Sequence, residues 1–351
     1  MSSCDRIESN SKKTMPSDLR PTILFSSFYE RDLIADGLER LRGLGDVREV
    51  NRGRNLTRQE LLEFLPGAHA CVVADEKYDA DLLDQVDDLA LIAREGTGYD
   101  GVDIEAATAR GILVTNAPAV HNATANQTIG LMIALVRRII PCNRGVREGE
   151  WTQRGRWRCP DLTGMTLGIA GFGLTGREVA KRAIAMGMRV LAHNRSDVAE
   201  VAQSLGAQVA SLDDLLASSD VVTVHIRHST QTERMFDAAV FAKMKRGAYF
   251  LNVARGGLVD EAALVDALTR GHLAGAAIDV MSQEPPERDN PLLALDNLIC
   301  TPHVGGETTT TVRKAFDMAV DQVCDCFEGK KPRQLVNPAA WERGRIHQLL
   351  R

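Results

Sequence analysis

The stretch that decides the fold lies at residues 165–186 and reads MTLGIAGFGLTGREVAKRAIAM. Its first part, Met165–Ala170, is a short apolar run typical of a buried strand, and Arg177–Met186 has apolar residues at helical spacing. Between them, GFGLTG at residues 171–176 has the glycine spacing GxGxxG. Glycines in this context allow a tight turn and close approach of the backbone to a pyrophosphate, while the helix N-terminus offers unpaired N–H groups. The sequence therefore predicts a dinucleotide-binding βαβ unit.

Downstream of this unit, apolar β-branched runs alternate with helical segments, which predicts parallel strands joined by crossover helices. The helices are expected to end at Gly187, Gly206, Gly247 and Gly271, because glycine readily adopts the left-handed conformation that closes a helix. The predicted strands of this doubly wound sheet are Met165–Ala170, Arg189–His193, Val221–His225, Tyr249–Val253, Gly275–Val280 and Leu298–Thr301.

A similar alternation upstream predicts a second α/β layer structure. Thr57 and Glu60 have the spacing of a capping box before the helical run Leu61–Leu65. A long helix is expected from about Ala123 to Ile140, ended by Pro141. The predicted upstream strands are Thr22–Phe25, Val47–Val50, Ala70–Val73, Leu91–Arg94 and Ile112–Asn116.

The composition is that of a globular chain of about two domains: 351 residues, 44% hydrophobic and 25% charged, with a net charge of −5. The most apolar stretch, Ile129–Ile140, is too short for a membrane helix and is interrupted by Arg137 and Arg138. The mild acidity offers no general attraction to nucleic acid or anionic lipid. We therefore expect neither a membrane nor a nucleic acid as partner.

The seven cysteines are scattered, odd in number and without a CxxC pair, a pattern typical of reduced thiols and of a cytoplasmic location. Cys71 and Cys300 lie in apolar strand-like runs and are expected in the core. Cys324 and Cys326 are expected on different sides of one helix, so no metal site is predicted. Residues 1–20 lack the apolar segment of a signal peptide and are expected to form a disordered arm.

The stretch Arg137–Arg158 is rich in arginine and contains Trp151 and Trp157. Basic residues interleaved with aromatics can bind single-stranded nucleic acid through phosphate contacts and stacking. The alternative is a surface arm or subunit contact whose charges pair with acidic residues. The overall acidity of the chain favours the second interpretation.

The end of the second strand of the dinucleotide unit bears on the choice of cofactor. An acidic residue is expected there to bind the ribose 2′-hydroxyl of NAD, but Asn194 occupies that position, followed by Arg195 and Ser196. An amide does not repel a 2′-phosphate, and Arg195 with Ser196 could bind one. The sequence therefore favours NADP or dual use of NADP and NAD, the alternative being that Asn194 merely binds the ribose and Arg195 is solvated.

Charged side chains follow three other strands of the same sheet. Arg255 stands in NVARGG, Asp279 and Glu284 in IDVMSQEPP, and His303 in CTPHVGG. Hydride transfer to a substrate requires a cation for its carboxylate and carbonyl, a proton donor for the developing alkoxide and a group that tunes that donor. Each residue alone has an ordinary explanation, but strand ends on one sheet edge are where doubly wound folds bind ligands. Together they predict an active site.

With these motifs the chain resembles the D-isomer-specific 2-hydroxyacid dehydrogenases, a family that includes phosphoglycerate, glyoxylate/hydroxypyruvate and D-lactate dehydrogenases. The resemblance extends from about Thr22 to Pro338. It is most specific in the stretches Gly164–Gly176, Met244–Leu264, Gly275–Pro285 and Thr301–Gly306.

The resemblance implies a catalytic role for three residues. Arg255 would bind the substrate carboxylate and carbonyl, and His303 would be the general acid for reduction and the base for oxidation. Glu284 would pair with His303 and keep its imidazolium available near neutral pH. The implied reaction is reversible hydride transfer between nicotinamide and a small 2-oxo acid of the glyoxylate or hydroxypyruvate kind.

The resemblance also implies the binding residues. Thr97, Gly98 and Tyr99 belong to a loop that would bind the substrate together with Arg255 and His303, and Thr97 would also contact the cofactor. The other implied cofactor contacts are Gly171, Gly173, Leu174, Thr175, Gly176, Asn194, Arg195, Ile226, Val253, Ala254, Asp279, His303 and Gly305.

The fold implied by the family is α/β with two doubly wound parallel-sheet domains. A Rossmann NAD(P)-binding domain at 119–311 would be inserted in a flavodoxin-like substrate domain at 21–118 plus 312–340. A last helix, about Glu307–Glu328, and the apolar segment Gln334–Asn337 would return the chain to the first domain. Residues 120–160 correspond to the usual dimer arm of the family, so a homodimer is expected.

Departures from the family pattern concern the substrate and the cofactor. Phosphoglycerate dehydrogenases typically carry Arg-Ser-x-Thr after the third strand, where this chain has Ala74–Tyr78 with Asp75 and Glu76, two carboxylates that would repel a substrate phosphate. Arg227 replaces a proline near the adenine end and is either a second 2′-phosphate ligand or an exposed arginine. The alternatives to a small-acid reductase are phosphoglycerate dehydrogenase and a dinucleotide-sensing corepressor-like binding protein. The corepressors carry an aromatic residue shortly after the histidine, and this chain has Val304–Glu307 there.

Overall fold

The computed structural model describes residues 20–27, 29–152 and 154–351. The expected arm at residues 1–20 lies outside these residues apart from Arg20. The chain divides into two compact units, a first unit of Met1–Ala119 with Thr309–Arg351 and a second unit of Val120–Thr308. Within the described ranges, no helix is both long and apolar enough to cross a bilayer.

The first unit contains a five-stranded parallel sheet in the order β2-β1-β3-β4-β5. Strands β3 and β4 are buried along their whole length, as expected where helices cover both faces of a parallel sheet. The capping box is confirmed, with the Thr57 side chain and Glu60 exchanging hydrogen bonds at the start of α2. The elements are β1 Thr22–Ser26, α1 Arg31–Leu44, β2 Asp46–Val50, α2 Arg58–Phe64, β3 Ala70–Val73, α3 Ala80–Leu83, β4 Leu91–Arg94, α4 Ile104–Ala109 and β5 Leu113–Thr115.

The second unit contains a seven-stranded parallel sheet in the order β12-β11-β10-β9-β6-β7-β8. The six predicted strands are confirmed to within one or two residues at their ends. Gly187, Gly206 and Gly271 have positive φ and follow the last residues of their helices within two positions, as predicted. The predicted helix end at Gly247 is wrong, because that helix already ends at Lys243 and Gly247 lies in the turn that follows. The edge strand β8 was not predicted, because its two residues are both exposed and carry no apolar pattern. The strands are β6 Thr166–Ala170, β7 Arg189–His193, β8 Gln208–Val209, β9 Val221–Val224, β10 Tyr249–Asn252, β11 Gly275–Ile278 and β12 Leu298–Cys300. The helices are α5 His121–Val136, α6 Ile139–Arg147, α7 Leu174–Ala185, α8 Ala199–Leu205, α9 Leu212–Ser218, α10 Ala238–Lys243 and α11 Glu261–Thr269.

The single helix predicted from Ala123 to Ile140 is wrong. Helix α5 ends at Val136, and Arg138 adopts a left-handed conformation with φ 53° that separates it from α6. Pro141 lies inside the first turn of α6, where its missing N–H needs no helical partner, and therefore does not end a helix.

The chain then returns to the first unit. Helix α12, Thr309–Phe327, packs along α1, and the rings of Phe25 and Phe316 lie 5.2 Å apart between sheet and helix. The segment after it pairs antiparallel with β5 through Leu335. The short helix α13, Ile346–Leu349, closes the chain against the same core.

One expectation about the core is wrong. Cys71 is buried, as predicted, but Cys300 is exposed. It is the last residue of β12, which lies at the edge of its sheet and is only partly covered. An apolar strand at a sheet edge cannot be distinguished from a central one by its sequence alone.

Candidate active site

The glycine-rich turn between β6 and α7 leaves space beside an open helix end. Gly171 has φ 100°, and a Cβ there would lie 2.5 Å from the backbone of His225. A Cβ on Gly176 would lie 2.3 Å from the carbonyl oxygen of Gly171, so the helix packs tightly on the turn. At Gly173, by contrast, a Cβ would meet no atom of the described, non-adjacent residues within 4 Å.

Helix α7 begins at Leu174, earlier than the predicted Arg177, so Leu174, Thr175 and Gly176 form its first turn. Within the described part of the chain, no side chain caps this end, and Leu174 is 57% exposed. Unpaired N–H groups beside open space at the N-terminus of a helix of this length suit a pyrophosphate. The turn therefore fits a dinucleotide.

Asn194, at the end of β7, is bound to the same turn. Its Oδ1 accepts a hydrogen bond from the Phe172 N–H at 3.1 Å, and its Nδ2 donates to Ser196 Oγ at 2.7 Å. Arg195 is exposed and donates to Gln231 at 3.4 Å. The position expected for a ribose-binding acid is thus occupied by a neutral amide that braces the turn, next to an exposed cation.

Four parallel strands end at this edge of the sheet and carry the remaining candidates. Ile226 follows β9, Val253 to Arg255 follow β10, Asp279 follows β11 and His303 follows β12. The Arg255 loop is held by Asn252, which is 1% exposed, donates to the Arg255 carbonyl at 2.8 Å and accepts from the Ala254 N–H at 3.1 Å. Asn252 was not among the predicted site residues, although its position in NVARGG was a signal.

His303 and Glu284 form a direct pair, with 2.6 Å between His303 Nδ1 and Glu284 Oε2. The other oxygen of Glu284 accepts the Met281 N–H at 3.0 Å. Burial by itself raises the pKa of Glu284, but the hydrogen bond and charge of His303, with smaller effects of Met281 and Arg255, bring it below its usual value. Since this interaction is mutual, the same free energy favours the protonated imidazole of His303. A histidine paired with a carboxylate in this way is suited to hold and donate a proton.

Asp279 is 2% exposed and accepts hydrogen bonds from the His303 loop on both of its oxygens. The donors include the hydroxyl of Thr301, which in turn accepts from Gln127 on α5 at 3.2 Å. Neither Thr301 nor Gln127 was among the predicted site residues. Nothing in the sequence near Gln127 indicates that its amide reaches a strand end 174 positions away.

The predicted substrate loop lies in the first unit, after β4. The carbonyl oxygen of Thr97 accepts a hydrogen bond from Asn116 at 2.8 Å, and that of Gly98 accepts one from Arg94 at 3.3 Å. The N–H groups of Thr97 and Gly98 take no part in these two contacts. Tyr99 follows in the same turn and accepts the Val102 N–H at 3.0 Å. These three residues therefore sit in the five-stranded unit, whereas the other candidates sit in the seven-stranded one.

The two carboxylates that depart from the phosphate-binding pattern are in different environments. Glu76 is 2% exposed and accepts the Ser26 hydroxyl at 2.6 Å, whereas the Asp75 side chain is exposed and pairs with the buried Arg94. Ser26 ends β1 and Arg94 ends β4, so this cluster lies at the carboxyl edge of the sheet, where such folds bind ligands. Arg94, a cation at this edge, is thus paired with a carboxylate.

The arginine-rich stretch has one partly buried tryptophan, Trp157, and one exposed tryptophan, Trp151. The guanidinium carbons of Arg138 and Arg156 lie 5.6 and 5.1 Å from the ring centroid of Trp157, and the ring fills the space beside Gly145. Trp151 is 65% exposed. Ile139, Ile140 and Val146 of the same stretch are exposed, and exposed Leu293 lines one surface cavity together with Ile140.

A family model and two known proteins show what this chain is similar to. A family model described as "D-isomer specific 2-hydroxyacid dehydrogenase, NAD binding domain" matches residues 129–305. D-3-phosphoglycerate dehydrogenase of Archaeoglobus fulgidus is 40% identical over 304 residues, covering 86% of this chain and 57% of that protein. Glyoxylate reductase of Aeropyrum pernix is 36% identical over 318 residues, covering 88% of this chain and 95% of that protein.

Among solved structures, an NADPH-dependent glyoxylate/hydroxypyruvate reductase from Sinorhizobium meliloti, in complex with NADP and malonate, has a TM-score of 0.78 to this chain. It is 29% identical, and the match covers 92% of this chain and 98% of that one. The chain thus spans less than two thirds of the phosphoglycerate dehydrogenase but nearly all of both reductases.

Proposed function

Because the chain belongs to the D-isomer-specific 2-hydroxyacid dehydrogenase family, we propose that it is an NAD(P)-dependent reductase of small 2-oxo acids, working reversibly as a D-2-hydroxyacid dehydrogenase. The observation that carries this proposal is the contact between His303 and Glu284. The pair lies at the same edge of the sheet as the glycine turn and Arg255. A proton donor kept charged by a carboxylate has a direct use in carbonyl reduction.

A bound nicotinamide cofactor supplies the hydride for this reaction. Arg255 binds the substrate carboxylate and polarises the carbonyl, as a guanidinium can through its forked N–H groups. His303 donates its proton to the carbonyl oxygen, so hydride and proton together convert the 2-oxo acid to a 2-hydroxy acid. In the oxidation direction, neutral His303 accepts that proton. Glu284 stabilises the imidazolium in both directions.

The cofactor would be held mainly by the second unit. The first turn of α7 binds the pyrophosphate, Ile226 lies beside the adenosine, and Val253 with Ala254 flanks the nicotinamide ribose. Asp279, Gly305 and Thr97 complete the proposed contacts. Thr97, Gly98 and Tyr99 of the first unit bind the substrate carboxylate, so the first unit serves as the substrate domain and the second as the cofactor domain.

We further propose a preference for NADP, or use of both cofactors. The amide of Asn194 carries no charge to repel a 2′-phosphate, and its oxygen is already engaged with the Phe172 N–H. Arg195 is exposed beside it and can bind the phosphate. Arg227 lies in the loop after β9 as a second candidate ligand.

The proposed substrate is glyoxylate, hydroxypyruvate or a similar small acid rather than a phosphorylated one. Asp75 and Glu76 add negative charge at the carboxyl edge of the first sheet, and Arg94, a cation at the same edge, is paired with Asp75. Both effects disfavour a substrate phosphate.

We also propose a cytoplasmic homodimer. The described cysteines are all free thiols, as in a reducing compartment. The exposed apolar side chains around α6 form a surface suited to a second copy of the chain. Nucleic-acid binding there is less favoured, because two of the arginines, Arg138 and Arg156, already contact the ring of Trp157 within the same stretch.

The proposal is tested with purified protein, a panel of 2-oxo acids, and NADH or NADPH. We expect cofactor oxidation with small acids such as glyoxylate, and His303→Asn should lower kcat at least about 100-fold while cofactor affinity stays within about twofold. Cofactor binding without turnover of any acid would overturn the enzyme assignment in favour of a dinucleotide-sensing protein. Comparable turnover by His303→Asn would overturn the role of the histidine.

A further inference from the structure

The loop that carries His303 has an unusual backbone. His303 has φ 55°, in the left-handed region that residues other than glycine rarely adopt. Its N–H donates to the carbonyl oxygens of Asp279 at 2.8 Å and of Thr301 at 3.0 Å. Such a conformation persists only when the surrounding structure holds it in place.

The carboxylate of Asp279 holds the backbone of this loop in place. Its carboxylate accepts the Thr301 hydroxyl on one side of His303 and the N–H groups of Val304 and Gly305 on the other, at 3.0 and 2.8 Å. A Cβ on Gly305 would lie 2.9 Å from Asp279 Oδ2, so the loop closes tightly on the carboxylate. One buried carboxylate thus brackets His303 from both directions along the chain.

Thr301 connects this carboxylate to a helix. A hydroxyl has a single hydrogen, and Thr301 donates it to Asp279, so its oxygen is left to accept the Gln127 amide at 3.2 Å. The hydrogen bonds therefore run in one direction, from Gln127 on α5 through Thr301 to Asp279. A hydroxyl that also accepts a hydrogen bond has fewer orientations available, and hydrogen bonds in a chain strengthen one another.

We propose that Thr301, oriented by Gln127, is a positioning residue that fixes the His303 loop so that the imidazole meets Glu284. The proposal rests on the proposed role of His303 as proton donor. Glu284 binds the ring and Asp279 binds the backbone, so the two carboxylates hold different parts of the same residue. Thr301 acts only through Asp279, which binds the backbone of the His303 loop.

The first test is Thr301→Val, which keeps the shape of the side chain and removes the hydroxyl. A misplacement of about 1 Å at a reacting group can cost about 100-fold in rate, so we expect kcat to fall about 10- to 100-fold while KM for the cofactor changes less than about twofold. In a plot of kcat for reduction against pH, the decline at high pH (the high-pH limb) should also move to lower pH. The reason is that the imidazolium of His303 loses part of its contact with Glu284. Thr301→Ser should restore kcat to within about threefold of the wild type, since it restores the hydroxyl.

A matched control removes a buried hydroxyl elsewhere in the second unit. Thr128 on α5 is 1% exposed and donates only within its helix, to the Thr124 carbonyl at 2.7 Å. Thr128→Val should leave the pH profile unchanged. Equal losses of kcat in Thr128→Val and Thr301→Val, or a kcat within about twofold of wild type in Thr301→Val, would overturn the proposal.

Gln127→Met removes the first hydrogen bond of the series from Gln127 through Thr301 to Asp279, without altering the loop that carries His303. Removal of one neutral hydrogen bond predicts a loss of kcat of about 3- to 10-fold in the same direction, with the same displacement of the pH limb. This variant keeps the proposal falsifiable if Thr301→Val does not fold. An unchanged profile in folded Gln127→Met would remove Gln127 from the assignment.

A readout without substrate separates this proposal from the proposed function. The histidine ring signals of the labelled chain are followed by NMR as a function of pH, with His303 assigned from His303→Asn. We expect Thr301→Val to displace the His303 titration and Thr128→Val to leave it unchanged. If no 2-oxo acid is turned over but the titration moves, the enzyme assignment fails and the positioning role stands. An unmoved titration overturns the positioning role.

Discussion

Replacement of Glu284 by glutamine is the most direct test of the proton donor. In the wild type, His303 Nδ1 lies 2.6 Å from Glu284 Oε2. Glutamine keeps an oxygen that can accept this hydrogen bond but removes the negative charge. The side chains of Glu284 and His303 are 38% and 35% exposed, so water screens their attraction substantially. The lost interaction therefore lies between the limits for bulk water and for a pair near a protein surface, at about 1 to 2 kcal/mol.

The sign of the pH effect follows from the charge that is removed. About 1.4 kcal/mol corresponds to one pH unit, so the imidazolium of Glu284→Gln should lose its proton about one pH unit lower than in the wild type. Reduction requires protonated His303, and its high-pH limb should therefore move about one unit to lower pH. Oxidation requires neutral His303, so its low-pH limb should move in the same direction.

The assay measures kcat against pH in both directions, with saturating substrate and cofactor. Glu178→Gln is the matched control, because Glu178 is also a paired carboxylate of the second unit but binds Lys181 and Arg182 on α7. We expect both limbs of the kcat–pH curve of Glu178→Gln to remain at the wild-type positions. A high-pH limb of Glu284→Gln that is unmoved, or that moves to higher pH, would refute the assignment of Glu284 as the partner that keeps His303 charged.

Two further substitutions test the cofactor site. Arg195→Ala should raise KM for NADPH about 10- to 100-fold and leave KM for NADH within about twofold, because a charge-assisted contact to a 2′-phosphate is worth about 1.5 to 3 kcal/mol. Steady-state kinetics with both cofactors checks this, and an equal effect on both would exclude the phosphate contact. Gly176→Ala should lower the free energy of unfolding by about 1 to 3 kcal/mol and weaken cofactor binding, since its Cβ would lie 2.3 Å from the Gly171 carbonyl oxygen. Urea unfolding and a fluorescence titration measure the two effects, and Gly173→Ala, where a Cβ meets open space, should leave stability nearly unchanged.

Much of the fold was predictable because its signals are local. The glycine turn, the capping box of Thr57 and Glu60, and the buried runs of β3 and β4 each depend on residues close together in the chain. The break after α5 was not predictable in the same way. The left-handed Arg138 carries no glycine signal, and Pro141 occupies a helix start instead of the expected helix end.

The sequence alone determined the α/β alternation, the dinucleotide turn and the candidates Arg255, Glu284 and His303, because each of these follows a recognisable strand or glycine motif. The tertiary structure decided how those candidates are held. Glu284 meets the His303 ring, Asp279 holds its backbone, and Gln127 reaches Thr301 from a helix far away in the chain. Patterns of apolar residues encode which face of an element is buried, but a hydrogen bond between distant side chains depends on how the elements pack, and packing exists only once the chain has folded.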